Sequence, residues 1–182
     1  MLQLIAIAAG AAIAGVLGVA ARKPDTFRMQ RSAVIDAPPE RIHPLIDDFR
    51  RWAEWSPYEK LDPEMKKTYG GADAGPGATY GWEGRKSGAG RMEITQAHPH
   101  SRIAIALDFT KPFRANHTAE FTLQPQGGAT RVTWGMDGRN PFTSKLFGVF
   151  VNLDHMIGKD FEAGLASLKT LAEQQPAPPA AS

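Results

Sequence analysis

Few residues in this chain have types and spacing suited to chemistry. His117 lies in "ANHTAEFTL", where alternation puts Ala115, His117, Ala119, Phe121 and Leu123 on one side of a strand and Asn116, Thr118, Glu120 and Thr122 on the other. An imidazole among apolar neighbours can act as acid, base or hydrogen-bond donor to a ligand carbonyl; it can equally be a core histidine satisfied by a backbone group. His98 and His100 form a lone "HPH" on a turn with no third ligand nearby in sequence, so no metal site is expected. With no cysteine, thiol nucleophiles, disulfides, zinc-thiolate sites and iron–sulfur clusters are excluded. No serine stands in "GxSxG" or at a suggestive distance from a histidine, which argues against acyl transfer by a triad. "GADAGPGATYG" matches neither the phosphate-binding nor the dinucleotide-binding glycine pattern, and no cofactor is expected. Aromatic surface is the remaining asset. In "RRWAEWSPYEK", Trp52, Trp55 and Tyr58 crowd a connection, where they either rim an apolar pocket or close the core.

Such residues need a scaffold, and composition bounds it. At 182 residues, 42% hydrophobic and 22% charged, the chain suits one folded domain with accessories. Its 21 basic and 19 acidic residues are scattered, which speaks against a nucleic-acid partner. The stretch from Leu4 to Ala21 is uncharged and apolar, close to the roughly 20 residues that span a bilayer. Residues 1–23 are therefore expected to be a membrane or signal-anchor helix. Arg22 and Lys23 then favour a single pass with the domain on the cytoplasmic side. The alternatives are export with cleavage after Ala21, or a soluble helix. Residues 174–182, rich in proline and alanine, are expected to form a disordered tail, leaving 27–173 as the folded domain.

Within the domain, Phe27 to Ile35 reads as a strand, and the proline pair at 38–39 opens a helix with Ile42, Leu45, Ile46 and Phe49 at helical spacing. From Lys66 to Asp137, about six short alternating runs separated by turn residues read as antiparallel strands. Their apolar face needs a cover. The candidate is one helix from Thr143 to about Glu173, with a stripe including Leu146, Phe150, Leu153, Ile157, Phe161, Leu165 and Leu168.

This order of elements, with "RSAVIDAPPERIHPLIDDFRRWAEWSPYEKLDP", "GPGATYGWEG", "GAGRMEI" and "MIGKDFEAGLASLK", resembles the START-like, or SRPBCC, superfamily, and within it the polyketide cyclase/dehydrase and lipid-transport branch. The resemblance implies an α+β helix-grip (START/Bet v 1-like) fold: a curved antiparallel sheet of about seven strands wrapped around a long C-terminal helix, with a cavity between them for a hydrophobic molecule. It puts Trp52, Trp55 and Tyr58 at the cavity rim and Tyr80, Trp82, Trp134 and Met136 on its wall. His117, Phe121, Phe150, Leu153 and Ile157 complete the expected ligand-binding set from strand and helix faces, with His117 the one catalytic candidate. Three functions follow: membrane-tethered binding of a lipid or similar apolar molecule; a cyclase-like enzyme in which His117 and Tyr80 move protons; and a non-catalytic interaction module. Nothing in the sequence specifies an oligomeric state.

Overall fold

The computed structural model describes residues 1–174, so the tail beyond Gln174 lies outside the described residues. Helix α1 (Leu2–Arg22) precedes strand β1 (Thr26–Ile35), after which come α2 (Pro39–Asp47), a 3-10 turn (Phe49–Arg51), α3 (Trp52–Trp55) and α4 (Pro57–Leu61). Strands β2 (Lys66–Gly71), β3 (Ala78–Glu83), β4 (Ala89–His98), β5 (Arg102–Lys111), β6 (Ala115–Gln126) and β7 (Ala129–Arg139) follow, then α5 (Phe142–Phe150) and α6 (Leu153–Gln174).

The seven strands form one antiparallel sheet in the order β1-β7-β6-β5-β4-β3-β2, built from consecutive hairpins with β1 added beside β7. Alternation sets the faces: Ala119, Phe121 and Leu123 of β6 and Val132, Trp134 and Met136 of β7 are all buried on the same side. Against that curved side lies α6, whose Phe161, Leu165, Leu168 and Ala172 are buried. The architecture is the expected α+β helix grip. Pro39 opens α2, because its fixed φ suits a first turn and its missing N–H costs nothing there, and Ile42, Leu45 and Ile46 are fully buried.

The single closing helix from Thr143 to Glu173 is corrected to two helices. Val151 is extended (φ −125°, ψ 129°), and the Asn152 side chain accepts a hydrogen bond from the His155 amide at 3.0 Å. Asn152 thus caps α6, satisfying a donor that the helix start would leave open. As a result Leu146 and Phe150 fall on α5, which packs against α1 and not under the sheet.

Two glycines in α6 are explained by what presses on them. The Arg31 guanidinium lies over Gly158, where an added Cβ would come within 2.0 Å of Nη2, and the same side chain binds Asp154 and Glu162. At Gly164 a Cβ would sit 2.7 Å from Cζ3 of Trp134 and 3.0 Å from Cδ of Pro57. Alanine favours a helix by about 1 kcal/mol over glycine, whereas overpacking a rigid ring costs about 1–3 kcal/mol. Gly164→Ala is accordingly expected to lower stability by up to about 2 kcal/mol, the net of these two terms, read as a shifted midpoint in urea unfolding with an unchanged slope.

Helix α1 is long and apolar enough to cross a membrane, and little of it is buried by the rest of the chain. Among the described residues, it is the C-terminal end that is anchored: Ala20 is buried, and Lys23 Nζ donates to the Gly148 carbonyl at 2.5 Å.

Candidate ligand cavity

Between the sheet, α6 and the α3–α4 segment is a cavity of about 290 Å³, at the small end of the roughly 300–1,000 Å³ of small-molecule sites. Its deep wall is formed by Trp52, Ser56, Tyr80, Met92, Ile105, Ala119, Trp134 and Phe161, all buried. Its more accessible residues are Leu61, Lys86, Ser87, Phe109, Ile157 and Asp160. Strand alternation brings Tyr80, Met92, Ile105, Ala119 and Trp134 to one face from five neighbouring strands. α6 contributes Ile157, Asp160 and Phe161 from opposite.

The residues expected to bind ligand separate into three groups. Trp52, Tyr58, Tyr80, Trp82, Trp134, Met136 and Ile157 line the cavity. Trp55 and Phe121 do not reach it. Both are fully buried behind its wall, with Phe121 stacked on Trp134 at 4.9 Å and Trp134 stacked in turn on Phe161 at 4.2 Å. His117, Phe150 and Leu153 border a different, wider groove of about 650 Å³ between β1, β7, α5 and the start of α6. Phe150 is there because the helix break carries it away from the sheet, and it is exposed.

Neither Trp52 nor Trp55 stands on an open rim. The Trp52 indole N–H donates to the Ile46 carbonyl and that of Trp55 to the Leu45 carbonyl, each at 2.8 Å. Carbonyls in the last turn of a helix lack intrahelical partners, so the pair closes the end of α2 while filling the core. No periodicity signals an indole-to-backbone bond.

Polar groups in the wall are few, and two are unmatched. "SPYE" from Ser56 to Glu59 has the form of a capping box, in which Ser and Glu would each bond the other's backbone amide. Here Ser56 makes no side-chain cap on α4, and its buried Oγ has no partner. Glu59, also buried, instead accepts from the Tyr80 hydroxyl at 2.6 Å and pairs with Lys67. The buried Nε1 of Trp134 likewise has no partner. Buried unpaired donors are costly and few in native proteins, and two of them belong to residues of this one cavity wall. The "SxxE" spacing was the available signal for Ser56 and Glu59, but only the three-dimensional contacts show that both side chains leave the cap.

Titration behaviour follows burial. Burial, then the hydrogen bond to Glu59, pushes the Tyr80 phenol well above its ordinary range, and burial with the nearby Asp160 charge does the same for Tyr58. Neither phenol ionises near neutral pH. Burial also raises Asp160. Asp62 is held low, first by the Lys86 amide at 2.8 Å and also by Ser87, which pins the β3–β4 turn at the cavity's outer end.

His117 packs edge-on against Phe27 at 4.9 Å and beside Phe109 at 5.5 Å, over Gly138, and its buried Nδ1 has no partner. Burial lowers its pKa against a smaller opposing effect of Asp137. The unfolded chain therefore takes up this proton more readily, so stability is expected to fall as pH drops from about 6.5 toward the folded-state value. NMR titration should place the His117 midpoint below that of a free imidazole, and His117→Leu should flatten this part of the pH–stability curve.

An antiparallel sheet gripping a helix over an apolar cavity with sparse polar groups defines a small-molecule-binding class of domain. The family described as polyketide cyclase/dehydrase and lipid transport matches residues 26–173, and the chain belongs to that family, of the SRPBCC type. Among solved structures it is similar to protein CV1439 from Chromobacterium violaceum, with 21% identity and a TM-score of 0.60, covering 84% of this chain and all (100%) of that one. It is also similar to BexL, a di-domain ARO/CYC from the BE-7585A biosynthetic pathway (18%, TM-score 0.62, 88% of this chain and 54% of that one). Ara h 8.0201 shares the fold at 10% identity and a TM-score of 0.56, covering 82% of this chain and 99% of that one. At these identities the likeness is one of fold. The search of curated proteins returns no match.

Proposed function

We propose that this protein binds a small hydrophobic molecule carrying a hydrogen-bond acceptor, such as a lipid or acyl chain with its carbonyl, in the cavity between sheet and α6, while α1 tethers the domain to a membrane. The observation that carries the reading is the pairing of a mostly apolar cavity with two unmatched buried donors, Ser56 Oγ and Trp134 Nε1. Apolar burial at about 25 cal/mol per Å² supplies affinity, and an acceptor matching either donor supplies orientation. The apolar length of α1, followed by Arg22 and Lys23, supports the tether and a cytoplasmic domain. Native mass spectrometry of the full chain in mild detergent, with solvent extraction of what copurifies, tests the reading. A discrete bound mass released on denaturation is expected. A clean apo mass, together with no thermal shift in fatty acids, sterols or polycyclic aromatics, would overturn it.

A second reading, cyclase-like catalysis, is favoured by one observation: the buried Glu59 carboxylate held by Tyr80 and Lys67 at the cavity wall. A carboxylate there can remove a proton from a bound polyketide-like substrate, whereas Tyr80 in the same contact is a donor. Glu59→Gln separates the two readings, because a carrier retains binding in this variant and an enzyme loses turnover with binding intact.

A further inference from the structure

The two ends of the sheet differ in chemistry. At one end the hairpin turns are "ADAGPG" (72–77), "PHS" (99–101) and "GG" (127–128), with Asp73 the sole side chain of fixed charge. At the other end the turns are "GRKSG" (84–88) and "PFR" (112–114), beside the junctions of α1 with β1 and of β7 with α5. Strand register puts these in one row: Glu83 pairs with Ala89, Ala89 with Lys111, Phe109 with Ala115, His117 with Gly138, and Thr26 with Arg139. Asn140 locks the two junctions together, its amide and side chain donating to the Asp25 and Pro24 carbonyls at 2.7 and 3.1 Å.

This second end is basic. Arg22, Lys23, Arg85, Lys86, Arg114 and Arg139 have no carboxylate within 4.0 Å among the described residues. Asp25 and Glu83 are already paired, with Lys145 and Lys111, Asp62 is engaged by backbone amides and Asp108 accepts from the Asn116 side chain, so the opposing acids are Glu64, Asp108, the exposed Asp137 near Arg139 and the half-buried Asp160, fewer than the six unpaired cations. It is also greasy. Of the large apolar side chains exposed outside α1, Leu61, Phe113, Phe142, Phe147, Phe150 and Met156 belong to this end or to the α5–α6 corner adjoining it, while Val34 and Tyr69 lie elsewhere on the sheet. Leu61, Lys86 and Phe109, on the accessible side of the cavity, are here too.

From these observations we infer that this end of the domain docks on the surface of an anionic lipid bilayer, with Phe113, Phe142, Phe147 and Phe150 entering the interface, so that the cavity opens onto the membrane. The inference rests on the ligand-carrier reading and names the surface with which that cavity exchanges. Cations attract anionic headgroups and aromatic rings settle at the interface, the two components of peripheral binding. A lipid surface is favoured over a protein partner because α1, itself long enough to span a bilayer, leaves the domain from this same end. An apolar ligand then passes between bilayer and cavity without crossing water.

The absence of cysteine makes the test direct. Single-cysteine variants of the full chain, Phe113→Cys, Phe150→Cys, Asp73→Cys and Ile13→Cys, carry an environment-sensitive fluorophore in nanodiscs of phosphatidylcholine alone or mixed with phosphatidylglycerol, with spin-labelled lipid as quencher. At positions 113 and 150, quenching several-fold above position 73 is expected in anionic discs. High salt, or combined Arg85→Glu, Arg114→Glu and Arg139→Glu, should abolish the difference. Quenching at 13 with 113 and 150 no different from 73 would overturn the docking and leave the tether standing. No quenching at any of these positions would overturn both. Quenching at 113 and 150 without 13 would uphold docking and reject the spanning helix. Protection of 113 and 150 that depends on protein concentration and not on quencher lipid would reassign the surface to a second copy of the chain and overturn the proposal.

Discussion

Trp55→Ala is expected to destabilise the domain by about 3–5 kcal/mol, the usual cost of deleting a fully buried tryptophan. Two losses combine. The ring is completely buried and packs edge-on against Phe121 at 6.0 Å and Trp134 at 5.7 Å, so its removal opens a void beside the stacked trio of Phe121, Trp134 and Phe161. The indole N–H is also the partner of the Leu45 carbonyl at the end of α2. Trp55→Phe separates the terms, because it keeps much of the packing and drops the hydrogen bond, for an expected loss of about 1–2 kcal/mol on the account of an unmade buried bond. Urea titration followed by circular dichroism checks both. If Trp55→Ala cost under about 1 kcal/mol, as surface substitutions usually do, Trp55 would be a rim residue after all.

Ala119→Leu is expected to weaken ligand binding by about 100-fold, or about 2.8 kcal/mol at 1.4 kcal/mol per factor of ten, while leaving the apo domain as stable as before. Ala119 is buried on β6 between Ile105 of β5 and Met136 of β7 and faces the cavity. Branched carbons added there project into empty space, so they displace ligand without the strain that overpacking a filled core brings. Isothermal titration with whichever molecule copurifies measures the first effect, and thermal unfolding of the apo protein the second. A stable Ala119→Leu protein with undiminished affinity would move the ligand site elsewhere, with the groove beside His117 and Leu153 the next place to look.

Sequence periodicity carried much of the fold. Period-two alternation assigned the faces of β6 and β7 correctly, since a pleated strand sends successive side chains to opposite sides whatever it packs against. The prolines before Ile42 and the spacing of Ile42, Leu45, Ile46 and Phe49 located α2 for a similarly local reason. Periodicity alone predicts a single closing helix, because apolar spacing continues across Val151 and Asn152. The signal against it was Asn152 followed by an acidic first turn, a start pattern that outweighs periodicity where a capping side chain can reach a free amide.

Residue types in this chain, by themselves, bounded what chemistry is available: no thiol, no serine in a nucleophile motif, an apolar anchor-like segment and an unusual supply of aromatic rings. In β5, β6 and β7 they also marked which side faces the core, because a pleated backbone sends successive side chains to opposite faces and only one face is apolar. Tertiary structure decided which inward residues meet. It put Trp134 on the cavity with an unmatched N–H and Phe121 immediately behind it, sent His117 to a separate groove, and turned Ser56 and Glu59 from a helix cap into cavity wall. It also brought two basic turns, distant from α1 in sequence, to the end where that helix emerges. Such meetings depend on sheet order and curvature, which arise from long-range pairing and burial and leave no period in the local pattern.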